Sequence, residues 1–144
     1  MSLLADAFAA LNRGKLVYAD KTHTGDRQGG SLSSYGRLDI KHSVSGAPGA
    51  STNPEQLLAA GWSACFEAAM AVAACKRKIR LPADTAIDVE VDLPNNTYFF
   101  RARISVSLPG LDRELALAIV NEAHQICPYS HATRGNIDTA IYLV

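Results

Sequence analysis

The sequence carries no excess of either charge, since Lys+Arg and Asp+Glu both number 14. That balance excludes a dedicated nucleic-acid binder, which shows a strong basic surplus. Cysteine is scarce: three in 144 residues is too few, and odd in number, for a secreted disulfide scaffold. A reducing, cytoplasmic compartment fits better. There, a disulfide between two of the three would form as part of a reaction. Aromatic residues are sparse at 7%. There is no Cys-x-x-Cys pair, phosphate loop, dinucleotide fingerprint or EF-hand loop. No internal repeat or low-complexity tract is present. Met1 to Leu11 lacks a basic start, carries Asp6 and has only a short apolar run, so no signal peptide is expected.

What the chain does have is one long stretch suited to helix, Thr52 to Cys75. Asn53 can cap its start, Pro54 suits the first helical position, and Gln56 completes a capping box. Ala, Leu and Met dominate its body, which favours helix. Residues 57–75 hold a single charge, Glu67. That charge near the middle, and the heavy use of Ala, read the stretch as a buried core helix rather than a membrane span.

Around it the chain alternates between strands and turns. Residues 3–12 have helical spacing, and residues 15–23 read as a strand. Thr24 to Gly30 reads as a turn, and Ser31 to Ser34 and Leu38 to Ser43 as further strands. Together these predict a small antiparallel meander. Residues 86–93 alternate with period two, and 98–108 give a second long strand, pairing as a hairpin with one face on the central helix. Asp112 caps a second helix to about Gln125, with Leu115, Ala118, Ile119, Glu122 and Ala123 along one stripe and Leu111 as a staple. Pro128 biases Cys127 away from helical geometry, placing it where that helix ends. Ser130 to Asn136 is a loop or short helical turn, and Ile137 to Val144 a final strand. The class is α+β, with a long helix buried by sheet. The basic triplet Lys76-Arg77-Lys78 caps the end of the central helix.

Cys65 and Cys127 are the pair of chemical interest. Two thiols can reduce a peroxide if one attacks the O–O bond and the other condenses with the sulfenic acid that results. The first then needs a nearby cation to stay ionised. Two inert core cysteines would look the same from spacing alone. Cys75 lies ten positions after Cys65, about 15 Å along a helix, too far for a disulfide within it. Arg27, in a glycine-bounded turn, and Glu55, in the first turn of the central helix, are the candidate tuning groups. Glu55 is also about 15 Å from Cys65 on a straight helix. His124, His131 and Asp138 allow a Cys-His-Asp hydrolase or a zinc site to be drawn with these cysteines, without any recognised spacing.

The blocks Thr52-Asn53-Pro54-Glu55-Gln56-Leu57 to Ala64-Cys65-Phe66, and Ala123-His124-Gln125 to Cys127-Pro128-Tyr129-Ser130, carry a resemblance. So do Ala132 to Ile137 and Leu108-Pro109-Gly110-Leu111. From about Lys15 to Val144 the chain resembles the organic hydroperoxide resistance proteins, within the wider family of osmotically inducible hydroperoxidases. The resemblance implies a single α+β domain over residues 15–144, with residues 1–14 an N-terminal extension. It implies an intertwined homodimer with antiparallel sheets wrapped around a long buried central helix. It also implies thiol-dependent reduction of organic hydroperoxides to alcohols. Cys65 then matches the peroxidatic cysteine and Cys127 the resolving one, joined in a disulfide during turnover. Arg27 matches the arginine at the thiolate, and Glu55 the carboxylate that holds it.

No bound cofactor is implied. The reductant would be an external dithiol, a lipoylated protein, and the substrate an organic or fatty-acid hydroperoxide in an apolar pocket. Leu57, Trp62, Phe66 and Tyr129 are the expected pocket residues, each of which could equally be plain core. The chain departs from the pattern at Asp26, at the Gly46 to Ser51 loop, at Trp62 in place of a more usual Tyr, and between Pro94 and Phe100. Those departures keep open a noncatalytic member of the fold that binds an apolar ligand or senses oxidation.

Overall fold

The computed structural model describes residues 22–24, 30–33, 37–41 and 51–144. The chain forms two compact units, residues 1–43 and 44–144. In the first unit, β1 (Thr22–Thr24), β2 (Gly30–Ser33) and β3 (Asp39–Lys41) form an antiparallel sheet in that order. Thr22 faces Ser33, and Gly30 faces Lys41. Among the described residues the expected meander is therefore present. Thr24 and Gly30 belong to strands rather than to the turn. The expected helix at 3–12, and most of the strand at 15–23, lie outside the described residues.

The second unit is built on α1, Pro54–Lys76. The Asn53 side chain accepts a hydrogen bond from the Gln56 N–H at 2.8 Å, as the sequence predicts. Only half of the capping box forms. The Gln56 side-chain Oε1 instead accepts from the Thr52 hydroxyl at 2.7 Å. At the other end the Ile79 N–H reaches Ala74 O and the Lys78 N–H reaches Cys75 O, a Schellman closure. Lys78 occupies its left-handed position with φ 59°. That position is usually glycine, because a Cβ there crowds the backbone.

After α1 come β4 (Ala86–Asp92) and β5 (Arg101–Ser107), an antiparallel pair with Ala86 opposite Ser107 and Asp92 opposite Arg101. Helices α2 (Arg113–Ile126) and α3 (Pro128–Thr133) follow, then β6 (Asp138–Leu143). β6 pairs with β5 in parallel, so the sheet order is β4-β5-β6. This sheet is mixed, not antiparallel throughout as expected. Its middle strand alternates Ala102, Ile104 and Val106 into the core with Arg101 and Arg103 out. Arg103 pairs with Glu90 across the exposed face at 2.7 Å.

The strand expected from residue 98 begins only at Arg101. The reason is a tight turn at 94–97, where Thr97 bonds back to Pro94 O and Asn96 adopts φ 60°. It leaves Tyr98 and Phe99 97% and 71% exposed.

α1 packs against β4, α2 and α3. Trp62, Phe66, Ala69, Met70, Ala73 and Ala74 form its buried stripe. The opposite side, including Ala64, Glu67, Ala68, Ala71 and Val72, is exposed in the single chain. The expected central helix is thus present and, in the single chain, buried along one stripe. By length and composition it is also apolar enough to cross a membrane. On α2, Asp112 caps Glu114 and Leu115 N–H as expected. The buried stripe is Ala116, Ile119, Val120 and Ala123, rotated from the predicted one. Glu122, at its edge, pairs with Lys76 at 3.1 Å and with Arg77. Two of the three basic residues at the end of α1 therefore tie it to α2.

Lys78→Gly should relieve the left-handed strain and raise stability by about 1 kcal/mol. Urea denaturation would show this as a higher midpoint at unchanged slope.

Candidate active site

The site begins with one unbroken helix and one break between two others. Cys65 sits mid-way along α1, half-buried and three residues past Trp62. Cys127 ends α2 and starts α3, with φ −64° and ψ 121°. Pro128 enforces that extended turn, since its ring disfavours helical geometry in the residue before it. The backbone of Cys127 is nonetheless fixed on both sides. Its N–H bonds to Ala123 O at 2.8 Å, and its carbonyl accepts from the His131 N–H at 2.9 Å. The turn swings the fully buried Cys127 side chain toward α1. The two Sγ atoms lie 3.5 Å apart, across 62 residues of sequence.

A second link joins the same two segments. The Trp62 indole Nε1–H donates to Ser130 Oγ at 3.1 Å, with both residues fully buried. Tyr129, between Cys127 and this serine, lies with its ring over α1 at Gly61. A Cβ added there would meet the Tyr129 hydroxyl oxygen at 2.5 Å. Glycine at 61 is what allows the ring to lie so close.

Burial pushes the Cys65 thiol above its ordinary pKa. The Tyr129 backbone N–H, hydrogen-bonded to the sulfur, pulls it down, and the neighbouring Cys127 adds to the rise. The net direction is upward.

The remaining predicted residues divide clearly. Arg27 and Asp26 lie outside the described residues, as does most of the Gly46 to Ser51 loop. Glu55 is half-buried in the first turn of α1, nearly three turns before Cys65. It borders a cavity of about 560 Å³ with Asn53, Val91 and Arg101. Trp62 and Phe66 have no exposed surface and belong to the hydrophobic core. Leu57 is half-buried and Tyr129 is 38% exposed. Cys75 is exposed at the far end of α1, beside Ile79 and Leu81.

The hydrolase arrangement gains no support from His124. Its Nδ1 is buried without a hydrogen-bond partner among the described residues. Burial, then the nearby Arg134, depress its pKa and keep the ring neutral at pH 7. Among the described residues no three His, Cys, Asp or Glu side chains are grouped to hold a metal ion.

Ser130 and Gly61 are the site residues that sequence reasoning missed. One signal was available for the first: a buried indole N–H needs an acceptor. Nothing in the pattern said which residue would supply it.

The family model for OsmC-like protein matches residues 47–141. An organic hydroperoxide resistance protein of Xanthomonas axonopodis pv. citri is 42% identical over 136 residues, covering 90% of this chain and 96% of that one. Among solved structures, the organic hydroperoxide resistance protein OhrB of Bacillus subtilis superposes with a TM-score of 0.81 at 36% identity. It covers 90% of this chain and 100% of that chain. One from Legionella pneumophila gives 0.80 at 34% identity, covering 90% and 98%. Both cysteine-bearing segments fall inside the matched region. By sequence and by fold, this chain belongs to the OsmC-like family, in its organic hydroperoxide resistance branch.

Proposed function

We propose that this chain is a thiol-dependent peroxidase that reduces organic hydroperoxides to alcohols. The observation that carries the reading is the 3.5 Å approach of Cys65 and Cys127 between two helices. A disulfide needs about 2.05 Å, so a small side-chain adjustment suffices. The names of the similar proteins supply the substrate class, organic hydroperoxide.

In this reading Cys65 is the nucleophile, because it alone of the two is reachable from solvent. Its thiolate attacks the distal oxygen of R–O–O–H. The O–O bond breaks, alkoxide leaves and takes a proton as alcohol, and the sulfur becomes sulfenic acid. The Cys127 sulfur then attacks the Cys65 sulfur. The S–O bond breaks, the hydroxyl departs as water with the Cys127 proton, and a disulfide remains. An external dithiol, proposed to be a dihydrolipoyl protein, restores both thiols by exchange.

The upward push on Cys65 works against its ionisation at neutral pH, and a nearby cation would offset it. Arg27 is assigned that role, with Glu55 orienting it. Leu57 and Tyr129, which keep exposed surface, are assigned to the substrate pocket. The buried Trp62 and Phe66 support it from behind.

We also place the protein in a homodimer. The exposed apolar stripe of α1 and the exposed Tyr98 and Phe99 support this, since a partner copy would cover them. Sedimentation velocity should return twice the chain mass of 15.4 kDa; a monomer at micromolar concentration contradicts it.

Two further tests address the chemistry. Cys65→Ser should lower hydroperoxide consumption by on the order of 10³-fold or more. Cys127→Ser should complete the first oxidation and stop there, its Cys65 sulfenic acid trapped by dimedone and read by mass spectrometry. Loss of activity in neither variant would end the reading. The second test is pH. The Cys65 alkylation rate should climb with pH as the thiol ionises and level off above its folded-state pKa, which burial raises and Arg27 is assigned to lower. Arg27→Gln should displace that profile to higher pH, one pH unit lowering the neutral-pH thiolate about tenfold. An unmoved profile removes Arg27 from its role.

A further inference from the structure

Two hydrogen-bonding facts concern the same pair of chain segments. Trp62 and Cys65 are one helical turn apart on α1, on one face. Cys127 and Ser130 bracket the first turn of α3. The Trp62–Ser130 bond at 3.1 Å and the sulfur–sulfur approach at 3.5 Å therefore tie one turn to one turn. Trp62, Cys127 and Ser130 are all fully buried. A hydrogen bond in that setting has no water to replace it, so its loss leaves a donor and an acceptor stranded. α3 is otherwise a six-residue helix, too short to hold its own position.

We infer that Trp62 and Ser130 are positioning residues that hold Cys127 within reach of Cys65, and so set the fate of the Cys65 sulfenic acid. The inference rests on the peroxidase reading above. Once formed, the sulfenic acid has two exits. It condenses with Cys127 to the disulfide and water, at a rate independent of peroxide. Or it attacks a second hydroperoxide, whose O–O bond breaks to give alcohol, and becomes the sulfinic acid, which a dithiol does not restore. The first exit depends steeply on sulfur–sulfur geometry, since about 1 Å of misplacement can cost 10²-fold. The second does not involve Cys127. The Trp62–Ser130 bond thus acts chiefly on the partition between them, and reaches the first oxidation only through the Tyr129 N–H at the Cys65 sulfur.

The test uses the full chain and cumene hydroperoxide. Reduced wild type, Ser130→Ala, Ser130→Thr and a Trp62 variant carrying benzothienylalanine are compared. The last keeps the volume of indole and lacks its N–H, so the core stays filled. Sulfenic acid formation on Cys65 is followed by rapid-quench trapping with dimedone, and disulfide and sulfinic acid by peptide mass spectrometry.

We expect sulfenic acid to form within threefold of the wild-type rate in Ser130→Ala. Disulfide formation should fall tenfold or more in Ser130→Ala and in the benzothienylalanine variant. The sulfinic fraction should rise roughly in proportion to peroxide concentration. Ser130→Thr, which keeps the hydroxyl, should restore the partition. Variants that merely lose stability but keep the wild-type ratio of disulfide to sulfinic acid overturn the inference and leave the peroxidase reading standing. Wild type in which Cys65 forms no sulfenic acid overturns both.

Discussion

A 3.5 Å gap between two sulfurs is hard to hold, because neither thiol gains much from the other. The energy comes from the packing around them. α1 buries Trp62, Phe66 and Met70 against the sheet and the two later helices, and every one of these has no exposed surface. Pro128 stops α2 at the residue where its last turn reaches α1. The Glu122 pairs with Lys76 and Arg77 tie the far end of α1 to α2. The Trp62–Ser130 bond closes the near end. With both ends tied, the register between helices is fixed, and the register decides where Cys127 falls.

The same burial that fixes the geometry works against the chemistry. A thiolate in an apolar setting loses hydration, and the Cys65 thiol is pushed up accordingly. One backbone N–H, from Tyr129, opposes that push and does not outweigh it. A half-buried thiol of this kind is a weaker nucleophile at neutral pH unless a cation stands beside it. In the peroxidase reading proposed above, the cation falls to Arg27, and the helices position the two sulfurs. That dependence also protects the thiol, since a sulfur that ionises chiefly beside its cation is poorly reactive elsewhere.

Much of this was legible in the sequence, for reasons that vary by residue. The Asn53 and Asp112 caps are local, and both formed. Period two at 86–92 is also local, and the strand is there. The parallel pairing of β6 with β5 was not legible, because register between distant strands leaves no mark in either one. The strand start at Arg101 was missed because the 94–97 turn overrides the aromatic propensity of Tyr98 and Phe99. Which side of α1 its own chain covers was not legible, since a helix apolar nearly all round does not mark one face. At the site, Cys65 and Cys127 were singled out as a thiol pair and took their separate roles from the resemblance, while Ser130 was passed over. A serine gives no sign that it will accept from a buried indole.

The most direct measurement is a titration of the fully reduced protein, without air, by limiting amounts of an organic hydroperoxide. Thiols lost and alcohol formed are counted together, and the oxidised peptides are mapped without reduction. The account predicts two thiols lost per alcohol, a Cys65–Cys127 disulfide, and Cys75 still free. A disulfide through Cys75, or thiol loss without stoichiometric alcohol, would contradict it.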